Sequence, residues 1–214
     1  MYRLHCFAQS GNSYKVAFCL RAMQLPFEMV FVDFMHGATR ENAWRESVNE
    51  MGEAPVLEAD GKRMAQSGAI MTWLAHKHGL FGGDTPDQRQ EVLRWLLFDN
   101  HKFTSFFASY RFGRSFGPAA PDPAVMAWLR SRIDPAWAIV DKHLSASKFM
   151  VGDAPTIADF SLSGYLFYPV EESGYDVSVS HPNIATWLER LKAIPGWAEP
   201  YALLPGDRIL PKWA

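Results

Sequence analysis

The sequence predicts a two-domain fold in which a small α/β domain precedes a larger all-helical domain. Residues 1–80 alternate between β-forming and helical segments in the order β-α-β-α-β-β-α. Residues 86–214 carry apolar side chains at helical spacing, and the stretch 80–86, with two adjacent glycines, fits a linker. The chain has 214 residues, of which 48% are hydrophobic, so it can fill the cores of two domains and is not disordered.

The first domain opens with the pattern of a βαβ unit. Residues 2–7 form a short strand, and the turn at residues 10–13 offers capping side chains to a helix that Pro26 ends. Residues 27–32 are rich in β-forming residues and predict a second strand. A strand, a helix and a strand within about thirty residues fit a parallel pair.

Four further segments complete the first domain: a polar helix at 39–47, a strand at 55–59, a returning strand at 62–65 and a helix at 69–78. Asp60-Gly61 between the two strands is a two-residue hairpin turn signal. Gly79 ends the last helix, because glycine readily adopts the left-handed conformation that closes a helix.

The spacing of apolar residues in the second domain predicts four helices. The first passes through Val92 and Tyr110 and is broken at 118–123, and the second covers residues 124–144. The third begins at residues 156–159, which resemble a capping box with Asp in the place of the usual Glu or Gln. The fourth includes residues 184–191 and stops at the Pro-Gly pair that follows.

Charge and composition argue against several classes of protein. The formal net charge is −2, with 21 Lys and Arg against 23 Asp and Glu, which disfavours a nucleic-acid or anionic-membrane partner. The sequence starts without the apolar stretch of a signal peptide and has no run of about 18 apolar residues, so we expect a cytoplasmic protein. Cys6 and Cys19 are too few for a disulfide framework and have no metal-ligand spacing, so no metal is expected.

Two predicted helix N-termini in the first domain suggest an anion site. The turn that starts at Ser10 follows a strand, and Gln66-Ser67 precedes another helix. Pro55 could present extended backbone to a ligand. Each residue alone also has a simpler explanation, since serines often only cap helices and a proline often only initiates a strand. Together they indicate a ligand with more than one negative group.

Four segments resemble the glutathione S-transferase family in order and spacing. They are Ser10-Gly11-Asn12-Ser13-Tyr14-Lys15-Val16, Asn49-Glu50-Met51-Gly52-Glu53-Ala54-Pro55-Val56-Leu57, Gln66-Ser67-Gly68-Ala69-Ile70 and the segment 149–159, which is similar to the family's Gly-Asp-x-Pro-Thr-x-Ala-Asp motif. The resemblance spans residues 2 to 197. It implies a thioredoxin-like N-terminal domain that binds glutathione as co-substrate, an all-α C-terminal domain with the second-substrate pocket, and a homodimer.

The resemblance also implies roles for particular residues. Ser10 falls on the serine or cysteine position of the non-tyrosine classes, and Asn12 is a second candidate for contact with the sulfur. The main chain of Ala54, before a cis Pro55, would contact the cysteinyl group of glutathione. Gln66 and Ser67 would hold the γ-glutamyl end, whereas Ser13 is expected to cap the first helix.

Two residues depart from the family pattern. Glu53 stands where many relatives have Lys or Arg near the glycine carboxylate, and Gln66 replaces the usual acidic residue. His36, Arg40 or a partner subunit would have to compensate. The aromatic residues assigned to the second-substrate pocket are Phe7, Phe103, Phe106 and Tyr110, although helical spacing alone favours a core role for the last three.

The sequence therefore predicts an enzyme that conjugates the thiolate of glutathione to an apolar electrophile. One alternative is glutathione-dependent reduction of disulfides or peroxides, in which Asn12 would matter more than Ser10. A second alternative is a non-catalytic ligand-binding or scaffolding protein with the same fold, which the departures at Glu53 and Gln66 would favour.

Overall fold

The computed structural model describes residues 1–213, which divide into two compact units. Unit 1 contains Met1–Leu80 and Ile194–Arg208, and unit 2 contains Phe81–Ala193 and the residues from Ile209 onward. The sequence prediction assigns all of residues 86–214 to the helical domain, whereas the segment 194–208 packs with unit 1. No helix within residues 1–213 is long and apolar enough to cross a membrane.

Unit 1 has the predicted element order. Its elements are β1 (Tyr2–Cys6), α1 (Gly11–Ala22), β2 (Phe27–Phe31), a 3₁₀ turn (Ala38–Arg40), α2 (Asn42–Ser47), β3 (Val56–Ala59), β4 (Lys62–Ala65) and α3 (Ser67–His78). The strands form one sheet in the order β2-β1-β3-β4, with β1 parallel to β2 and the other pairs antiparallel. This small mixed sheet with its helices confirms the thioredoxin-like fold class.

A row of alternating charges crosses the sheet. Arg3 on β1 lies opposite Glu28 on β2 and Glu58 on β3, and Glu58 lies opposite Arg63 on β4. The ion pairs measure 3.3 Å from Arg3 to Glu28, 3.0 Å from Arg3 to Glu58 and 3.1 Å from Arg63 to Glu58. The next residue along β1, Leu4, is buried and lies opposite Leu57, so a one-residue slip would exchange charged and apolar faces.

The segment 194–208 completes unit 1 around α1. The Tyr14 hydroxyl donates a hydrogen bond of 2.9 Å to the Ala198 carbonyl. Gly196 has φ +95° and lies against the Arg21 backbone, where a Cβ would come within 2.7 Å of the Arg21 carbonyl carbon. Only glycine allows this close approach without a shift of the backbone. A short helix, Pro200–Leu203, follows in the same segment.

Unit 2 is helical. Its helices are α4 (Pro86–Phe98), α5 (Thr104–Ser115), α6 (Pro123–Leu144), α7 (Ile157–Ser163), α8 (Val170–Ser173), α9 (Val177–Ser180) and α10 (Pro182–Lys192). A π-helical turn, Asp99–Phe103, joins α4 to α5 within the predicted long helix. Buried Asp99 accepts hydrogen bonds there from the hydroxyls of Thr104 and Ser161. The turn thus has a polar anchor in the core of unit 2.

The capping box predicted at residues 156–159 is present at the start of α7. The fully buried Asp159 carboxylate accepts hydrogen bonds from the backbone N–H and hydroxyl of Thr156, at 2.8 and 3.0 Å. It also accepts from the Met150 N–H and from Trp187 Nε1 of α10, both at 2.9 Å. Burial raises the pKa of Asp159, although these four donors oppose that shift. One carboxylate therefore joins α7, the preceding loop and α10.

We expect Asp159→Asn to lower the free energy of unfolding by about 2–4 kcal/mol, because an amide nitrogen cannot accept from the buried donors that the carboxylate satisfies. Urea denaturation measures this change. Asp153→Asn is the matched control, since Asp153 is an exposed acid on the same loop, and it should change stability by less than about 0.5 kcal/mol. Equal effects of the two substitutions would contradict the anchoring role.

Candidate functional site

Ser10 forms the N-cap of α1. Its backbone is extended, with φ −91° and ψ 105°, and its Oγ accepts a hydrogen bond of 3.0 Å from the Ser13 N–H. Its own N–H donates to the Phe7 carbonyl at 3.2 Å, which closes the turn after β1. Accepting a hydrogen bond occupies a lone pair of the hydroxyl, so its proton can still be donated to a ligand at the helix N-terminus.

The expectation that Ser13 caps α1 is wrong. Ser13 is the third residue of the helix, and it contributes its backbone N–H to the cap rather than its side chain. Its Oγ is buried and has no hydrogen-bond partner within residues 1–213. The helix cap and the candidate sulfur-binding hydroxyl are therefore the same group, Ser10 Oγ.

Asn12 and Ser67 connect two helix N-termini. Asn12 is the second residue of α1 and Ser67 is the first residue of α3. The Ser67 hydroxyl lies 3.5 Å from Asn12 Oδ1, at the long limit of a hydrogen bond. The first N–H groups of each helix lack intrahelical acceptors, so the pair of termini favours negatively charged ligand groups.

The loop before β3 is held by local hydrogen bonds. Asn49 Nδ2 donates to the Glu53 carbonyl at 3.2 Å, and Asn49 Oδ1 accepts from the Met51 N–H at 2.9 Å. Gly52 has φ +68°, and a Cβ there would lie 2.9 Å from the Thr39 carbonyl oxygen, so this position requires glycine. The Ala54–Pro55 peptide bond is cis, as the resemblance implies.

Glu53 and Gln66 contact each other. Gln66 Nε2 donates to Glu53 Oε2 at 2.5 Å and also lies 3.9 Å from Met51 Sδ. Gln66 has φ +67° immediately before α3, a conformation that side-chain-bearing residues rarely adopt and that is common at functional sites. Both side chains are exposed, and Glu53 has no ion-pair partner among residues 1–213.

His36 and Arg40, the cations expected to compensate for Glu53 in the recognition of glutathione, have local neighbours of their own in unit 1. His36 Nδ1 is 2.7 Å from Asp33 Oδ1. Arg40 is exposed, and a Cβ at Gly37 would lie 3.2 Å from its guanidinium. In the part of the chain that the structure describes, neither side chain forms an ion pair with Glu53.

The aromatic residues assigned to the second-substrate pocket all pack on other aromatic rings. The ring centroids are 4.6 Å apart for Phe7 and Phe34 in unit 1, and in unit 2 they are 5.6 Å apart for Phe103 and Trp137, 5.6 Å for Phe106 and Trp128, and 5.5 Å for Tyr110 and Tyr175. Phe103 is 1% exposed and lies in the core of unit 2. Phe106 is only partly buried, so it is more accessible than Phe103.

The thiols of Cys6 and Cys19 and the hydroxyl of Tyr14 are poor candidates for a catalytic nucleophile. Burial raises the pKa of Cys6 to about 12 and raises the pKa of Cys19 as well. Burial and the charge of Glu199 raise the pKa of Tyr14, whose hydroxyl donates to a carbonyl. No cluster of His, Cys, Asp and Glu suited to a metal occurs along residues 1–213. The two helix N-termini can hold and polarise an anionic ligand.

The segment 194–208 also supports the turn at Ser10, which the sequence did not predict. Gln9 Nε2 donates to the Asp207 carbonyl at 2.6 Å. At Gly206, with φ +102°, a Cβ would come within 2.7 Å of the Phe31 ring. This segment has no hydrophobic periodicity, and its glycines and prolines indicate turns without indicating what they pack against.

Comparison with known proteins matches both parts of the chain to the same family. Residues 2–76 match the family model of the glutathione S-transferase N-terminal domain, and residues 86–190 match that of the C-terminal domain. Glutathione S-transferase F14 of Arabidopsis thaliana is 27% identical over 91% of this chain and 80% of its own length.

Two bacterial crystal structures are similar over nearly their whole length. A glutathione S-transferase from Pseudomonas fluorescens Pf-5 is 30% identical, with a TM-score of 0.83 over 93% of this chain and 98% of its own. A glutathione S-transferase from Xanthobacter autotrophicus Py2 is 28% identical, with a TM-score of 0.84 over 96% of this chain and 97% of its own.

Proposed function

The chain belongs to the glutathione S-transferase family, and from that premise we propose that Ser10 activates glutathione for attack on an apolar electrophile. Membership makes the protein a glutathione-dependent transferase. The residue assignments and the class of electrophile are the proposal. Its main support is the N-cap geometry, in which the Ser13 N–H fixes Ser10 Oγ at the N-terminus of α1.

Ser10 and the N-terminus of α1 can together supply the free energy that is needed to lower the pKa of the glutathione thiol. A free thiol has a pKa of about 8.5, so only a few per cent is thiolate at neutral pH. Lowering that pKa by about two units requires about 2.7 kcal/mol of preference for the anion. A hydroxyl hydrogen bond to a charged sulfur contributes roughly 1.5–3 kcal/mol, and a helix N-terminus up to about 2 kcal/mol. Ser10 acts as a donor to the thiolate, since its own proton is held too tightly for it to act as a base.

The other contacts of glutathione are assigned along unit 1. Ser67 and the N-terminus of α3 would bind the γ-glutamyl carboxylate, with Gln66 beside them. The main chain of Ala54 would pair with the cysteinyl group. Arg40, which forms no ion pair within residues 1–213, is the cation that we assign to the glycine carboxylate.

We propose that aromatic side chains bind the electrophile. An apolar electrophile is proposed because these side chains are themselves apolar. Phe106, which is only partly buried, and Tyr110, which is 7% exposed, are retained for this contact, whereas Phe103 is 1% exposed and lies in the core of unit 2. Phe7 stacks on Phe34 and supports the turn that carries Ser10. The family resemblance supports a cytoplasmic homodimer as a further part of the proposal.

One observation favours reduction of disulfides or peroxides as a second candidate function. Asn12 lies beside Ser67 at the N-terminus of α1, and its amide nitrogen could donate to the sulfur in place of Ser10. Assays of glutathione with a chloroarene, a hydroperoxide and a mixed disulfide distinguish the two reactions.

We expect Ser10→Ala to raise the pKa of bound glutathione thiol by about one to two units, a loss of about 1.4–2.7 kcal/mol. Conjugating activity at neutral pH should fall roughly ten- to a hundredfold. Ultraviolet absorbance of the thiolate as a function of pH measures the pKa in the binary complex. Because Ser10 also caps α1, the variant should lose about 1 kcal/mol of stability as well.

Ser13→Ala is the matched control for Ser10→Ala, because it removes a hydroxyl that has no hydrogen-bond partner among the described residues. Both the thiol pKa and the stability should change little. A shift of the titration by Asn12→Ala without a shift by Ser10→Ala would show that the serine assignment is wrong and would support the reductase.

We expect Ser67→Ala to weaken glutathione binding by roughly 1–3 kcal/mol, because the γ-glutamyl carboxylate loses a hydrogen-bond donor. Calorimetry measures the affinity. Thr72→Val is the control, since its hydroxyl bonds within α3, to the Gly68 carbonyl, and the affinity should not change. A dissociation constant of the parent protein weaker than about 10 mM, a binding free energy of only about −2.7 kcal/mol, would support the scaffold function.

A further inference from the structure

The carboxylate of Glu53 carries an uncompensated negative charge directly beside Gln66. The two side chains are joined by the 2.5 Å hydrogen bond, and no cation within residues 1–213 pairs with Glu53. Gln66 is fixed by its backbone, since it lies at φ +67° immediately before the first residue of α3. The charge of Glu53 therefore contacts the side chain of the residue that immediately precedes α3.

Two other acidic side chains of unit 1 already have cationic partners. Glu58 pairs with Arg3, His5 and Arg63, and Asp60 pairs with Lys77. Hydrogen bonds and charges from the partners of Glu58 lower its pKa in spite of its partial burial. The carboxylates of Glu58 and Asp60 therefore form ion pairs within unit 1, whereas the carboxylate of Glu53 can pair with a cationic group of a ligand.

The chemistry of the γ-glutamyl group indicates what this charge could bind. That group carries a carboxylate and an ammonium on one carbon atom. A helix N-terminus and a hydroxyl suit the carboxylate, but the ammonium needs an acceptor and gains most from a charged one. The amide oxygen of Gln66 is neutral, so residue 66 alone supplies no counter-charge.

On the basis of the proposed function, we infer that Glu53 supplies the counter-charge for the γ-glutamyl ammonium and so selects ligands with a free α-amino group. The negative charge absent from residue 66 is thus provided by a residue 13 positions earlier, through a side chain that touches Gln66. A location beside the glycine carboxylate would instead make Glu53 repel the ligand. The contact with Gln66 places it at the opposite end of the tripeptide, where its charge is attractive.

Two ligands that differ only in the ammonium test this inference. We expect calorimetry to show that the wild-type protein binds glutathione roughly 5–20-fold more tightly than glutaryl-cysteinyl-glycine, in which hydrogen replaces the amino group. Glu53→Gln should remove most of that preference by weakening glutathione alone. The double variant E53Q/Q66E should restore the preference, because it returns the charge to residue 66. Added salt should reduce the preference in the wild type.

A merely structural role of Glu53 predicts a different pattern, since a distorted loop would weaken both ligands alike. Glu50→Gln removes the same charge from an exposed position on the same loop and should leave both affinities unchanged. Glu53→Lys gives a test of sign: the inference predicts weaker glutathione binding, whereas a location beside the glycine carboxylate predicts tighter binding.

Equal losses for the two ligands in Glu53→Gln, no loss at all, or tighter glutathione binding by Glu53→Lys would overturn the inference and leave the proposed function intact. Failure of the wild-type protein to bind either ligand would overturn the proposed function, and the inference with it.

Discussion

The hydrogen bond from the Ser13 N–H to Ser10 Oγ determines where α1 begins, and the organisation of unit 1 depends on it. Most of α1 is buried, so the N–H groups of its first turn cannot rely on water for partners. Fixing the first turn also fixes the rotation of the helix about its axis. Tyr14 then bonds to Ala198, and the helix packs against α3. The hydroxyl that caps the helix is also the one that the proposed function assigns to the sulfur of glutathione.

The sequence predicts those features that local signals encode. Alternating apolar residues and a hairpin turn predict the strands, and the capping box at Thr156 predicts the start of α7. The family resemblance predicts the fold class and the cis Ala54–Pro55 bond. The roles given to the site residues remain predictions.

Prediction from the sequence fails for features that depend on the backbone conformation or on contacts between residues far apart in the chain. Ser10 and Ser13 are both hydroxyl residues in one turn, and only the backbone conformation decides which of them caps the helix. The segment 194–208 packs on residues nearly two hundred positions earlier, as in the Gln9 bond to Asp207, and no periodic pattern indicates such a contact. The contact between Glu53 and Gln66 likewise spans a hairpin.

The burial of both cysteines has a consequence for their reactivity toward thiol reagents. Electrophiles alkylate thiolates rather than thiols, and burial raises the pKa of Cys6 to about 12, so its thiol stays protonated at neutral pH. Cys6 and Cys19 lie in the interior of unit 1, so reagents reach them poorly as well. Both cysteines are thereby protected from alkylation by thiol-directed reagents. The same protection means that a cysteine introduced on the surface would be the preferred target of a thiol-directed label.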